Sequence, residues 1–322
     1  PAWAAWLERR LLQRRQPARK QLQRWKIPMP RNPPAIAHLR AGLRGSGQIL
    51  FQPSAATGAA FLLLVLVHSP AAAALCVAGI LGATLCASQL ERNSTAYLEG
   101  AGGFNGALLG LAMWAFVEWS WLLVPLTMLG GAATGLVRVA FLRWSTLPPL
   151  TAPYVIVGWI VLPSCAAWLG EAAVPDLAPA GMPAVGILTN ASQVLFLAVP
   201  WIGLPVVAAV GLHSRSAAIW VGLSAALSWS IAAGCGLPPN LVASGLLGYN
   251  AMILASALES RRTSIPVAIV GVAITVWLTF AALALGVMPL SAPFVATAWM
   301  VFTIEHRRRN RVGSSTAPAS PR

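Results

Sequence analysis

Two copies of one short polar device, Gly47-Gln48-Ile49-Leu50-Phe51-Gln52-Pro53 and Ser192-Gln193-Val194-Leu195-Phe196, each stand at the mouth of a long apolar run, and their glutamines, like their phenylalanines, are 145 residues apart. Gln and Phe three positions apart share one face of a helix, so each copy offers an amide beside a flat ring. Pro53, and Pro200 after the second copy, then stops or kinks that helix, in the first copy after about two turns. The same offset relates Gly103-Phe104-Asn105 to Gly248-Tyr249-Asn250, His68-Ser69 to His213-Ser214 and Gly58 to Gly203. Later in each half, Leu150-Thr151-Ala152-Pro153-Tyr154-Val155 is answered by Leu290-Ser291-Ala292-Pro293-Phe294-Val295 at 140 residues, with Trp159 and Trp299 in step. The chain is a duplicated unit, and any fold must satisfy the same local instructions twice.

Between these marks lie five apolar segments, about 54–68, 71–90, 103–117, 120–141 and 150–170, and five more, about 198–212, 216–235, 245–258, 265–287 and 290–304. Most approach the ~20 residues that cross a bilayer as a helix. The chain is 57% hydrophobic and 9% charged, against roughly 25% charge in an average soluble domain, so an all-α integral membrane protein is expected. The net charge of +14 could suggest a nucleic-acid partner, but eleven of the twenty-two Lys and Arg lie between Arg9 and Arg44 and four between Arg307 and Arg311. That asymmetry marks cytoplasmic ends rather than a nucleic-acid surface. Trp3, Trp6 and Trp25 among the arginines make the arm either an interfacial amphipathic helix or a solvated basic tail. No short apolar run with a cleavage site follows it, so no removed signal peptide is expected.

With the N-terminus inside and ten crossings, Arg92, Arg138, Arg143, Arg215, Arg261, Arg262 and Arg307 to Arg311 all fall on the cytoplasmic side, and Glu118, Glu171 and Asp176 fall outside. The expected organisation is a basic cytoplasmic arm over 1–44, a first transmembrane repeat over 45–175, a second over 176–305 and a basic tail over 306–322, both termini cytoplasmic. Five crossings is an odd number. The halves are therefore expected upside down relative to each other, about a pseudo-two-fold axis in the membrane plane.

Inverted repeats place matching residues near the midplane, where broken or re-entrant helices line a cavity. Gln48 and Phe51 are expected to face Gln193 and Phe196 across a central path. Thr151 and Ser291, each two residues before a proline, are expected to cap two further short helices. Helix N-termini repel cations, and no charged residue falls in the middle of a predicted crossing, which removes the usual means of ion coupling. The expected solute is small, neutral and polar; amide and hydroxyl oxygens between opposed rings suit a planar molecule rich in N–H donors.

The Gly-Gln-x-x-Phe-Gln, Leu-His, Gly-Phe/Tyr-Asn-x-x-Leu and Leu-Pro-x-x-Thr-x-Pro patterns, each answered with substitutions in the other half, resemble the urea transporter family over about residues 40–305. The resemblance implies a trimer of independent pores that pass urea without energy coupling. It implies acceptor oxygens from Gln48 and Gln193, slot walls from Phe51 and Phe196, narrowing by Leu108 and Ile253, and Thr151 and Ser291 in the middle. Against the family pattern, Ser291 stands for a second threonine, Leu197 answers Gln52, Ala191-Ser192 replaces the glycine before Gln193, and Ile253 replaces a leucine.

Glu99 could offer a carboxylate at the cavity mouth, while Glu91 beside Arg92 is expected to form an interfacial pair. Asn105 and Asn250, beside glycines, are expected to satisfy freed backbone rather than touch solute. His68 and His213, at opposite ends of their crossings, are expected to hydrogen-bond helix ends. Trp119, Trp121 and Trp144 are expected at membrane edges. The four cysteines lack metal-ligand spacing, no cofactor is implied, and no Ser/His or paired-Asp constellation supports an enzyme. Two alternatives fit the same residues: a channel for ammonia or a short amide, and an ion-coupled secondary transporter. A bacterial inner membrane suits the Ala-, Arg- and Trp-rich composition.

Overall fold

The structure, a computed structural model, describes residues 35–90, 95–173 and 182–315. The basic arm up to residue 34, the Glu91–Arg92 pair and Asp176 lie outside the described residues. Fourteen helices follow in order: α1 (Ala35–Gly47), α2 (Ala55–His68), α3 (Pro70–Leu90), α4 (Thr95–Leu98), α5 (Phe104–Phe116), α6 (Leu123–Trp144) and α7 (Ala152–Leu169), then α8 (Pro183–Gln193), α9 (Pro200–Gly211), α10 (Arg215–Gly234), α11 (Pro239–Ala243), α12 (Tyr249–Ser260), α13 (Ile265–Ala284) and α14 (Ala292–Ser315). The second seven repeat the first in order. Among the described residues, the one departure from helix-and-turn is a single antiparallel bridge between Val117 and Glu171.

The repetition extends to local detail. Ser69 and Ser214 each accept a backbone N–H of the first turn, of α3 and α10, at 3.2 and 3.1 Å; a serine there satisfies a donor that helix geometry leaves unpaired. So the Ser of each His-Ser pair makes the cap, while His68 packs edge-on against Trp114. Gly58 and Gly203 press against the carbonyls of Leu43 and Leu188. A Cβ there would come within 1.7 and 2.0 Å of those oxygens, so no other residue lets α2 cross α1, or α9 cross α8, this closely. Gly79 and Gly106 lock α3 to α5 in the same way.

Among the described residues, five helices, α3, α6, α7, α10 and α13, are long and apolar enough to cross a membrane, or six spans if the pair of Ile36–Leu50 and α2, bent by 78°, counts as one. The ten similar crossings expected from hydropathy thus resolve into long helices and short ones. α5 and α12 have 13 and 12 residues, about 20 Å at 1.5 Å per residue, short of a ~30 Å hydrocarbon core. Their residues are nearly all buried, from Phe104 to Met113 and from Tyr249 to Leu258. A helix enclosed by other helices need not span lipid, so the bilayer does not set its length. α6 also runs three residues past the apolar segment, to Trp144, which places Arg138 inside the helix and buried rather than at its end. Trp119, Trp121 and Trp144 are exposed at the ends of α6, as indole at a membrane edge would be.

Contacts between the halves are reciprocal. Trp159 Nε1 donates to the Met288 carbonyl and Trp299 Nε1 to the Pro148 carbonyl, both at 2.8 Å, and the 140-residue offset exchanges one contact for the other. Partner exchange of this kind is what a two-fold relation produces. α2 also meets α9, its own repeat mate, where Thr57 Oγ1 donates to the Ala209 carbonyl at 3.0 Å. Replacing either indole by Phe is expected to lower stability by about 0.6–1.5 kcal/mol, read as a lower unfolding midpoint in detergent for Trp159→Phe and Trp299→Phe separately. A change in only one of them would break the equivalence of the two contacts.

Candidate functional site

The two polar devices fold alike, though not as the spacing predicted. α1 runs from Ala35 through the boundary expected at residue 44, then tightens into a 3-10 turn at Gln48–Leu50 that ends on Phe51 with a left-handed φ of 56°. In the second copy Gln193 ends α8 and Phe196 has φ 61°. Gln and Phe therefore flank a turn rather than share one face of a regular helix. The turn closes through Phe51 N to the Gln48 carbonyl at 3.0 Å and Phe196 N to the Gln193 carbonyl at 2.9 Å.

Leu150 and Leu290 are left-handed too, with φ of 49° and 42°. Four of the five described non-glycine residues with positive φ are thus two repeat pairs, all beside candidate site residues. An L-residue in this conformation costs roughly 1–2 kcal/mol, and such strain collects at functional sites. Asparagines hold the second pair. Asn105 Nδ2 donates to the Leu150 carbonyl at 3.2 Å while Asn105 Oδ1 accepts from Tyr154 N at 3.0 Å. Asn250 Nδ2 donates to the Leu290 carbonyl at 3.0 Å, and the Tyr249 hydroxyl donates to the same oxygen. Both asparagines are wholly buried.

The left-handed leucines deliver the next residue, Thr151 or Ser291, to the meeting point of the halves. Ser291 Oγ donates to Thr151 Oγ1 at 2.6 Å, with both side chains buried. The hydroxyls expected as helix caps thus bond each other instead; Thr151 precedes α7 without a side-chain capping bond. Nor are the helices that follow short, since α7 has 18 residues and α14 has 24. Pairing the repeat mates spends the one strong donor–acceptor contact available to both in an apolar interior.

Phe51 and Phe196 are half-buried, and each meets a ring from the other half, Phe51 with Phe294 at 5.7 Å and Phe196 with Phe116 at 6.0 Å between centroids. Their ring contacts are with these partners rather than with each other. Phe116 and Phe294 were missed by spacing alone; Phe294 lies in the repeated Leu-Ser-Ala-Pro-Phe stretch, whereas nothing in the sequence singles out Phe116. Leu108 and Ile253 sit mid-helix in α5 and α12, each 1% exposed. Gln52 Nε2 donates to Ser256 Oγ at 3.2 Å and to the Leu50 carbonyl, tying the first device to α12 of the second half.

The amides of the two polar devices are used only in part by the protein. Gln48 Nε2 donates to the Glu99 carbonyl at 3.0 Å, and Gln48 Oε1 has no partner among the described residues. Gln193 Oε1 is buried with no hydrogen-bond partner. Glu99 contributes its backbone to Gln48, while its side chain is exposed. Two surface recesses lie away from these groups, one against Trp159, Pro163, Val287 and Met288, the other against Arg261, Phe302, Glu305 and His306. Comparison with known families finds that the model for urea transporters matches residues 39–306, the greater part of the chain and all of the groups above.

Proposed function

This chain belongs to the urea transporter family, a family of transporters and not of enzymes, and on that premise we propose that it is a passive channel in which urea passes the repeat-related side chains in turn. Its halves are inverted about an axis in the membrane plane, and the subunit carries its own pore within a homotrimer whose termini face the cytoplasm of a bacterial cell. Gln48 and Gln193 accept N–H groups of the solute near either end, Phe51 and Phe196 with Leu108 and Ile253 confine it to a slot, and Thr151 and Ser291 exchange their mutual hydrogen bond for bonds to it.

The observation that carries this is the buried amide oxygen of Gln193, which no donor of the protein reaches, with its repeat mate Gln48 half-buried at the matching turn. A buried acceptor without a donor costs about 1–3 kcal/mol, which a passing N–H donor offsets at each visit. Urea, planar with four N–H donors, suits such acceptors set beside flat rings. Stopped-flow urea flux into proteoliposomes tests it. Fast flux that ignores proton and sodium gradients is expected, with Gln193→Ala lowering it about tenfold, as loss of ~1.4 kcal/mol would. Flux that follows an imposed ion gradient would identify a coupled transporter, and flux no faster than in empty vesicles would end the proposal.

A further inference from the structure

Near the centre of the molecule the repeat mates differ by a phenolic hydroxyl at two positions. Tyr154 in α7 is matched by Phe294 in α14, and Tyr249 in α12 by Phe104 in α5. One side of the pseudo-two-fold axis therefore carries two phenols and the other two phenyl rings. The phenols gather round Leu290: Tyr249 donates to its carbonyl, and a Cβ on Gly158 would lie 2.8 Å from Leu290 Cδ1 and 3.7 Å from Tyr154 Cε2. On this side two buried polar atoms have no partner, the Tyr154 hydroxyl and Asn250 Oδ1. Asn105 Oδ1, the repeat mate of Asn250 Oδ1, accepts instead from Tyr154 N. Buried polar groups are almost always hydrogen-bonded, so each of these two atoms calls for a partner that its protein neighbours do not provide.

We propose that Tyr154 and Asn250 hold one small neutral molecule, which accepts from the Tyr154 hydroxyl and donates to Asn250 Oδ1. Tyr249 Oη, having given its proton to Leu290, remains free to accept a second donor, which completes the two to four bonds that a buried water makes. Water and urea share this chemistry. The Tyr154 to Leu290 neighbourhood adjoins the Thr151–Ser291 contact, so a urea occupant would rest on the channel reading, whereas the site itself would not.

The test is a structure of the full chain in lipid nanodiscs, at a resolution that shows single waters, in buffer and again in concentrated urea, for the wild type and Tyr154→Phe. Phe is tolerated by the fold at the matching position 294, and an unchanged unfolding midpoint would show the variant intact. Density bridging Tyr154 Oη and Asn250 Oδ1 is expected, lost in the variant. Urea-shaped density in the second condition, with urea permeability lowered about threefold in Tyr154→Phe, identifies the solute as occupant. Water in both conditions, with permeability unchanged, identifies a hydration site. No bridging density in either condition, or density that survives in the variant, overturns the proposal. A chain that holds the molecule yet moves no urea would remove the channel reading and leave the site standing.

Discussion

Thr151→Val is expected to cut urea flux by about ten- to a hundredfold while leaving the protein folded. Valine has nearly the same shape as threonine, so the packing at the meeting point of α7 and α14 is kept. What disappears is the acceptor of the 2.6 Å bond from Ser291. A solute stripped of water between these residues then loses a hydrogen bond that the hydroxyl would have supplied. In a dry interior a polar group left without such a bond costs about 1–3 kcal/mol, and each ~1.4 kcal/mol added to the barrier is a factor of ten in rate. Ser291→Ala is the companion, expected to be milder because Thr151 keeps both its donor and its acceptor. Stopped-flow light scattering on vesicles with matched protein content measures both. Unchanged flux in Thr151→Val would take this residue out of the solute's path.

The sequence announced the membrane, the duplication and the Thr151–Ser291 pair more clearly than it announced shape. Composition and the 145-residue offset depend only on residue identity, so they can be read without coordinates. Left-handed turns are different. Nothing about Phe51, Phe196, Leu150 or Leu290 as residue types favours positive φ; they are held there by neighbours distant in sequence, Leu150 by Asn105 and Leu290 by Asn250 and Tyr249. Helix lengths failed for a related reason. Hydropathy cannot distinguish a segment made apolar by lipid from one made apolar by burial in protein, so α5 and α12 read as crossings like the others. Ring partners were hidden as well, because a phenylalanine in an apolar run, such as Phe116, carries no mark of what it faces.

The asparagines show how a repeated residue can differ in weight between the halves, and they carry the second large effect. Asn105→Ala removes the donor to Leu150 O and the acceptor of Tyr154 N. Tyr154 is the third residue of α7, where a backbone N–H has no partner within the helix, so both atoms are left buried and unpaired. At about 1–3 kcal/mol each, the loss is roughly 2–6 kcal/mol, with nothing left to hold Leu150 in its strained turn. Asn250→Ala removes the matching donor, but Leu290 O keeps the Tyr249 hydroxyl, and Asn250 Oδ1 holds no backbone group. Its loss is expected to cost about 1 kcal/mol. Position 104 is Phe, so the first half has no hydroxyl to stand in for Asn105. Thermal unfolding in detergent should therefore show a much lower midpoint for Asn105→Ala than for Asn250→Ala, and Tyr249→Phe combined with Asn250→Ala should bring the second half down towards the first. Equal midpoints for the two single variants would mean that the clamp on the turn, although drawn in both halves, is not what keeps Thr151 and Ser291 in register.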